Sequence, residues 1–385
     1  MSTSRSVLGA GYFWYFAATG IFLPFWPVFL RGKGFGATEI GLFMAIFYAV
    51  RTVGGPVYAS LADVTGRRVA LLRFASLGAA TCAVAFHFAT DAWAIAVALG
   101  CYAMLFNGIV ALYDAQVLDS LGAAGATYGR LRLWGSLGFA AASLAAASLF
   151  DRYGTGVLPF TLMVLLVLTL IVFLRIREPA RVLRHAGVSL WPRLRDRRVQ
   201  VFLVICFLML VSHGPFYGFL SLYLLHYGYS RQFIGGMWAW GVGCEVLVFL
   251  AAPWLIARFR PRTIVRVALA ATAVRWLALA LWPGVAFVVV LTQTLHLASF
   301  GLFHLWSVTT ARRLFPAAAA ARAQALHSAV GYGLGGAVGS FGSGFLWDRW
   351  GPQAPYLAAG FVVIFALLIA SASTGPDPGD ETPAT

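Results

Sequence analysis

Charged side chains are scarce in this sequence, and their scarcity excludes a water-soluble globular protein. Only 11% of the 385 residues are charged, whereas 61% are hydrophobic. So little polar side chain cannot cover a surface that faces water. A surface that faces lipid removes this difficulty, and we therefore expect an all-α membrane protein.

Cysteine is also scarce, and its placement excludes a disulfide framework or a zinc site. Cys82, Cys101, Cys206 and Cys244 all fall inside apolar stretches and have no paired spacing. The sequence contains no nucleotide-binding P-loop, and no nucleophile, base and orienting group stand out together. We therefore expect a protein that is not an enzyme, holds no metal or cofactor and does not use ATP directly.

Long apolar stretches are abundant. Stretches of about 20 residues, the length that crosses a bilayer as a helix, recur twelve times along the chain. The longest polar interruption, residues 177–198, is rich in arginine and divides the spans into six and six. We interpret it as a cytoplasmic linker between an N-terminal bundle, residues 1–176, and a C-terminal bundle, residues 199–374. The tail, residues 375–385, is predicted to be disordered.

The formal net charge of +15 does not indicate a nucleic-acid partner. The basic residues form no single patch and do not alternate with solvent-facing aromatic residues. They lie between the apolar spans, mostly in alternate loops, such as Arg67 and Arg68, the linker, and Arg312 and Arg313. This asymmetry follows the positive-inside rule and predicts that both termini are cytoplasmic.

An internal repeat relates the two halves. The segment GIFLPFWPVFLRGKGFGATEIG from Gly20 aligns without gaps with GPFYGFLSLYLLHYGYSRQFIG from Gly214. Glycines recur where the first span of each half turns into the second. Many secondary transporters are built from duplicated halves, so the repeat favours a transporter.

The turn after the second span reads DVTGRR, from Asp63 through Gly66 to Arg67 and Arg68. It resembles the loop motif of the major facilitator superfamily, in which an acid and paired basic residues brace the helices around a tight glycine turn. Ala59 stands where that motif usually has a glycine. The alternative is simple positive-inside flanking, which explains the two arginines without the motif.

Ionisable residues inside the spans are the candidates for chemistry. Asp114 and Glu245 are the clearest acids, and such groups usually mark an ion or proton pathway because they are costly in hydrocarbon. We interpret both as candidates for proton coupling, although Asp114 could instead be a structural bridge. Arg132 or Arg275 could bind an anionic substrate in bidentate fashion, or only neutralise the acids. Arg51, at the repeat position of Glu245, is expected to act in gating or structure, as are the loop residues.

The tenth span carries a polar stripe. Residues spaced by three or four lie on one helical face, and here they are Gln293, His296, Phe300, His304 and Ser307. A polar stripe on a lipid-buried helix implies a cavity. Histidine titrates near neutrality and can relay protons, but a membrane histidine can also be a hydrogen-bonded packing residue.

Aromatic stripes recur on other spans. They include Tyr15 and Trp26 on the first span and His213 and Tyr217 on the seventh, while Asn107 shares a face with Asp114. Such stripes are usually packing or interfacial belts. If they instead line a cavity, it would suit an aromatic body with one polar or charged end.

Three stretches together resemble the phenylpropionate permease family of the major facilitator superfamily: GYFWYFAATGIFLPFWPVFLRGKG from Gly11, YGRLRLWGSLGF from Tyr128 and HGPFYGFLSLYLLHYGYS from His213. The likeness extends through WAWGVGCEVLVF, VRWLAL and QTLHLASFGLFH, so it spans nearly the whole chain. The RLWGS segment that begins at Arg132 is its most specific part.

The resemblance implies a fold of twelve transmembrane helices in two pseudo-symmetric six-helix bundles. It also implies import of 3-phenylpropionic acid and related aromatic acids with protons. In the layout of the more distant lactose permease, spans four and eight carry acids, five and nine arginines, and ten a histidine. These positions match Asp114, Glu245, Arg132, Arg275 and His296 or His304. The additional acid of that permease on span ten is absent here, so Glu245 or a histidine would substitute for it.

We therefore expect a proton-coupled importer of a small aromatic carboxylate, driven by the proton motive force and monomeric in a bacterial inner membrane. Its partners would be the substrate, protons and the lipid bilayer. Alternatives are a proton symporter for a neutral sugar or nucleoside, or a drug exporter. From a different class, the chain could be a non-transporting receptor or scaffold, although such a protein has no need for buried charges.

Overall fold

The computed structural model describes residues 3–122, 128–178, 190, 192–316 and 319–372. In these ranges every regular element is helical. The tail at residues 375–385 and most of the predicted linker, residues 179–189 and 191, lie outside the described residues.

The first part of the chain forms long helices that follow one another closely. They are α1 (Arg5–Gly32), α2 (Ala37–Thr65), α3 (Arg68–Phe88), α4 (Ala92–Leu121), α5 (Tyr128–Tyr153) and α6 (Leu158–Leu174). The turn between α2 and α3 depends on Gly66, which has a φ of 67° and donates its N–H to the Ala62 carbonyl. Glycine adopts this left-handed conformation without a steric penalty.

The second part of the chain is more interrupted. Its helices are α7 (Arg197–Ser212), α8 (Gly214–His226), α9 (Arg231–Arg258), α10 (Pro261–Leu281), α11 (Ala286–Thr294), α12 (Phe303–Leu314), α13 (Ala320–Ser328), α14 (Gly336–Trp350) and α15 (Ala354–Ala372). Two π-helical segments, Leu297–Leu302 and Ala329–Gly335, join α11 to α12 and α13 to α14. The seventh span is divided at His213, just before Pro215.

Eleven helical segments in the described residues are long and apolar enough to cross a membrane. They match the predicted spans except the eleventh, which consists of α13, the second π-helical segment and α14. This segment is rich in glycine, which lowers its hydropathy. The chain is therefore a multi-pass membrane protein.

The contacts between residues divide the chain into two units. Unit 1 is Met1–Arg184 with Tyr217–Ala239, and unit 2 is His185–Phe216 with Trp240–Thr385. The predicted C-terminal bundle, residues 199–374, includes the segment Tyr217–Ala239, which groups here with unit 1. The proposed boundaries of the two bundles stay a prediction.

In unit 1, α1 and α5 approach each other closely. A Cβ atom added at Gly138 would collide with the Phe13 carbonyl oxygen, and one added at Gly20 would collide with the Phe139 carbonyl oxygen. Ser143 Oγ donates a hydrogen bond of 2.8 Å to the Gly20 carbonyl across the same interface. These contacts set the register that brings α1 aromatic rings against the arginine of α5.

In unit 2, glycines allow a similar approach of α14 and the π-helical segment before it to α7. A Cβ at Gly339 would collide with Val211, and one at Gly335 would press on Phe207. Gly331, Gly335 and Gly339 recur every four residues, a series of small residues that is typical of close helix packing in membranes. This packing fixes the end of α7. His213 directly after it and Phe216 at the start of α8 both contact Trp276 of α10.

Candidate substrate and proton-coupling sites

Arg275 is the centre of a buried network in unit 2. Its side chain is 0% exposed, and its guanidinium lies 4.4 Å from the ring centroids of both Phe216 and Trp276. Stacking on two rings stabilises a cation in a site that water does not reach. The two ring centroids are 6.0 Å apart, so the rings do not lie on opposite faces of the guanidinium, and its N–H groups remain able to meet other partners.

Those N–H groups bind neutral partners of the tenth span. Arg275 Nη1 donates to Ser299 Oγ and to His296 Nδ1, both at 2.7 Å, and Nη2 donates to Gln293 Oε1 at 3.1 Å. A guanidinium has no acceptor. His296 Nδ1 must therefore be the unprotonated acceptor, and the proton of the neutral ring is on Nε2.

Glu245 completes the network from α9. Its Oε1 lies 2.6 Å from His296 Nε2, which by the preceding argument is the nitrogen that carries the proton. The contact is then a hydrogen bond from a neutral imidazole to a carboxylate. The ring of His296 thus lies between Arg275 and Glu245 and is hydrogen-bonded to both.

His213 lies behind this network. Its Nδ1 is 2.8 Å from the Met209 carbonyl oxygen, and its ring meets Trp276 edge to face at a centroid distance of 5.0 Å. Trp276 Nε1 donates to Ser212 Oγ at 3.4 Å. The structure therefore places His213 against the tryptophan that supports Arg275, and its predicted role in substrate binding stays a prediction.

His304 lies further along the tenth span. Its ring stacks on Phe300 at a centroid distance of 5.7 Å, and Phe300 stacks on His296 at 5.5 Å. The Tyr332 hydroxyl is 3.4 Å from His304 Nδ1. The structure therefore separates the two predicted proton-coupling histidines by one phenylalanine.

In unit 1, Asp114 pairs with a tyrosine. The Tyr12 hydroxyl donates to Asp114 Oδ1 at 2.7 Å, which joins α1 to α4. The Tyr12 ring also lies 4.8 Å from Tyr113 and 6.5 Å from Tyr128. Asp114 is thus set in a group of tyrosines.

Arg132 lies beside this pair. Its guanidinium is 4.4 Å from the ring centroid of Phe16 and 5.2 Å from that of Tyr12. Its Nη1 is buried and has no hydrogen-bond partner among the described residues. A buried donor of this kind is costly unless a partner satisfies it.

Tyr15 and Trp26 of α1 and Asn107 of α4, all predicted to bind substrate, lie in different environments. Tyr15 stacks on Phe106 at 4.8 Å and donates its hydroxyl to the Phe106 carbonyl. Asn107 donates to the Ala103 carbonyl of its own helix at 2.9 Å. Trp26 packs on Phe86 at a ring distance of 4.5 Å, about 21 Å along α1 from Tyr12. Trp26 is therefore not brought to the Arg132 site.

Tyr217 and Arg51 also lie in unit 1. The Tyr217 ring is 6.4 Å from that of Tyr48 on α2. Arg51 lies within electrostatic range of Tyr15 and Tyr48. The predicted roles of Tyr217 in substrate binding and of Arg51 in gating stay predictions.

The loop after α2 is braced by one of its two arginines. Arg68 Nη1 lies 2.5 Å from Asp119 Oδ2 at the end of α4, whereas Asp63 and Arg67 are exposed. The Glu178 carboxylate accepts the Val69 backbone N–H at 2.9 Å. Asp119 and Glu178 were missed by sequence reasoning, which looked for the acid of the brace inside the loop.

The chain matches the MFS_1 like family over residues 6–358. It is 30% identical over 371 residues to the "Probable 3-phenylpropionic acid transporter" of Escherichia coli (strain K12), covering 94% of each chain. It is also 30% identical to the "Maltose permease" of Geobacillus stearothermophilus over 374 residues, 95% of this chain and 93% of that protein. The structure of the nucleoside transporter NupG (D323A mutant) superimposes with a TM-score of 0.87 at 15% identity, over 96% of this chain and 100% of the other.

The protein is therefore a major facilitator superfamily transporter. It belongs to the MFS_1 like family, and the likeness to NupG shows that it has the all-α membrane fold that the sequence predicted. Its relatives are transporters rather than enzymes, so the expectation of a non-enzymatic protein is confirmed.

Proposed function

We propose that the protein imports a small aromatic carboxylate together with a proton by alternating access. The observation that carries the substrate assignment is the buried, unpartnered Nη1 of Arg132 beside the Tyr12 and Phe16 rings. A guanidinium edge binds a carboxylate through charge-assisted hydrogen bonds. Aromatic rings next to it offer a surface on which a substrate ring can stack.

Arg132 is a better candidate for the carboxylate ligand than Arg275. The hydrogen bonds of Arg275 to His296, Ser299 and Gln293 already satisfy two of its nitrogens, and the rings of Phe216 and Trp276 each lie 4.4 Å from its guanidinium. A substrate that bound there would have to displace these partners. We therefore assign substrate binding to Arg132 and charge balance to Arg275.

Proton coupling is assigned to Glu245. With the carboxylate ionised, Glu245 and Arg275 balance each other across His296. A proton on Glu245 leaves the charge of Arg275 uncompensated, and an uncompensated buried charge raises the free energy of the network. Asp114, hydrogen-bonded to Tyr12, is the second candidate for proton coupling. It lies in the first half of the chain, on the same tyrosine ring that Arg132 contacts.

The identity of one relative supports the substrate class. The Escherichia coli protein named "Probable 3-phenylpropionic acid transporter" is 30% identical along nearly its whole length. We place the protein in a bacterial inner membrane with both termini cytoplasmic, as the arginine distribution predicts. We further propose that it acts as a monomer driven by the proton motive force, without a cofactor.

A second candidate function is proton symport of a neutral sugar or nucleoside. It is favoured by the maltose permease relative at 30% identity. In that case the Tyr12 and Asp114 pair would accept substrate hydroxyls, and Arg132 would form only neutral hydrogen bonds. The two functions differ in whether the substrate must carry a negative charge.

Counterflow in proteoliposomes tests both functions. Liposomes loaded with 3-phenylpropionate are diluted into a trace of the radiolabelled acid, and 3-phenylpropanamide, maltose and uridine are added as competitors. We expect uptake that excess phenylpropionate abolishes and the neutral amide leaves intact. Competition by maltose or uridine, with no uptake of the acid, would establish the second candidate instead.

A further inference from the structure

Three ring-bearing residues outside the Arg275 network lie in series in unit 2. They are His304 on α12, His327 on α13 and Tyr332 in the second π-helical segment. Of these, the sequence pointed only to His304. Their arrangement leads from the network towards the end of α13 that carries Arg322.

The series begins with an aligned column of rings. His296, Phe300 and His304 stack in succession, with interplanar angles of 26° and 7°. In a regular α-helix the third of these residues would be rotated by about 80° from the first. The π-helical segment Leu297–Leu302 lies between them, and its wider turns keep the three rings on one side.

The column continues onto the eleventh span through Tyr332. Its hydroxyl is 3.4 Å from His304 Nδ1, and its ring meets that of His327 at 6.0 Å and 88°. Residues five apart come to one face where hydrogen bonds close over five residues. The second π-helical segment therefore brings Tyr332 next to His327.

The series ends at an exposed side chain. His327 is 0% exposed, and its Nδ1 is 3.5 Å from Nε2 of Gln324, which is exposed. Aromatic rings of two other elements also contact the histidines: Phe249 of α9 contacts His304, and Phe202 of α7 contacts His327. The groups capable of carrying a proton thus end at His327, which is buried next to the exposed Gln324.

We propose that His304, Tyr332 and His327 form the path by which the coupled proton passes between Glu245 and the Gln324 end of unit 2. This inference rests on the proposed proton coupling. Each imidazole accepts a proton at one nitrogen and gives one up from the other, while the Tyr332 hydroxyl accepts from His304 and passes its own proton to His327. After one proton has passed along the path, each of the three residues is neutral again. Phe300 interrupts the path, so passage requires its ring to leave the column and water to take its place and carry the proton from Glu245 to His304.

Two assays on the same proteoliposomes separate this path from substrate binding. Counterflow exchanges loaded carriers and requires no proton release, whereas uptake driven by a pH gradient requires it in every cycle. We expect Tyr332→Phe and His327→Gln to keep counterflow and to lose gradient-driven uptake and the accompanying proton flux by about tenfold or more. His226→Gln, an exposed histidine at the end of α8, is the matched control and should match the wild type in both assays.

The other outcomes overturn the path in distinguishable ways. If gradient-driven uptake is unchanged in both variants, the proposed proton path is wrong, but proton coupling by Glu245 is unaffected. Loss of counterflow together with uptake gives the two residues a packing role. A wild-type protein that accumulates substrate without moving protons overturns both the path and the proposed coupling.

Discussion

Glu245 Oε1 and His296 Nε2 lie 2.6 Å apart, and Arg275 holds the opposite nitrogen of the same imidazole at 2.7 Å. The ring cannot accept a second proton on Nδ1 unless Arg275 leaves it, because a guanidinium only donates. We therefore expect a proton that reaches this network to be taken by the carboxylate. His296 positions Glu245 and connects it to Arg275 through the two nitrogens of one ring.

Replacing Glu245 by glutamine should uncouple transport without abolishing binding. The amide oxygen of Glu245→Gln can still accept from His296 Nε2, but the side chain carries no exchangeable carboxyl proton. We expect counterflow close to that of the wild type and no accumulation above equilibrium under an imposed pH gradient. Glu39→Gln, at an exposed position where Glu39 caps the start of α2, is the control. Full accumulation by Glu245→Gln would refute the assignment.

Arg275 and Glu245 should be strongly coupled in stability. Removing one member of a buried charge pair costs about 3–5 kcal/mol because the other is left uncompensated. Arg275→Gln should therefore lower the unfolding temperature in detergent considerably. Adding Glu245→Gln to it should recover part of the loss, which a double-mutant cycle measures. If the two losses simply add, the two charges do not balance each other.

The structure brings together several residues that the sequence had marked. Gln293 and His296 were predicted to share a face with one another, and both bind Arg275. Their spacing of three is an α-helical signal, and both lie before the π-helical segment begins at Leu297. The buried charges were recognisable because ionisable residues inside apolar spans are rare.

Other partners could not be found in this way. Ser299 reaches Arg275 from within a π-helical turn, and no α-helical periodicity predicts which side chains such a turn aligns. Tyr332 and Asp119 belong to elements far from their partners in sequence. Their pairing depends on how the helices pack, which is a property of the folded chain rather than of local spacing.

Arg132 should determine affinity for an anionic substrate. A hydrogen bond to a charged group contributes about 1.5–3 kcal/mol, so Arg132→Gln should raise the KM for 3-phenylpropionate by about tenfold or more. Lysine at this position cannot present a planar fork and should restore only part of the affinity. Arg130→Gln, two residues earlier on the same helix and exposed, should leave the KM unchanged. An equal effect of both changes would indicate general electrostatic attraction instead.

The Arg68 and Asp119 pair should brace α3 against α4. The side chains are 8% and 31% exposed, so solvent screens the pair in part and we expect Arg68→Ala to cost about 1 kcal/mol. Arg67→Ala, at the exposed neighbour, should cost less. The exchange Arg68→Asp with Asp119→Arg should recover some of the lost stability. If thermal unfolding shows the two alanine variants to be equivalent, flanking charge alone explains both arginines.

Close approach of α1 and α5 should make Gly138 intolerant of any side chain. The Cβ of Gly138→Ala would meet the Phe13 carbonyl, which belongs to the backbone and cannot rotate away. Forcing an extra methyl into such a contact costs about 1–3 kcal/mol. It should also displace Phe16 from Arg132, so the KM for the carboxylate should rise together with the loss of stability. Gly129→Ala, at the start of the same helix with nothing within 4 Å of its added Cβ, should leave both the stability and the KM unchanged. If the two variants behave alike, the contact between α1 and α5 does not position the Arg132 site.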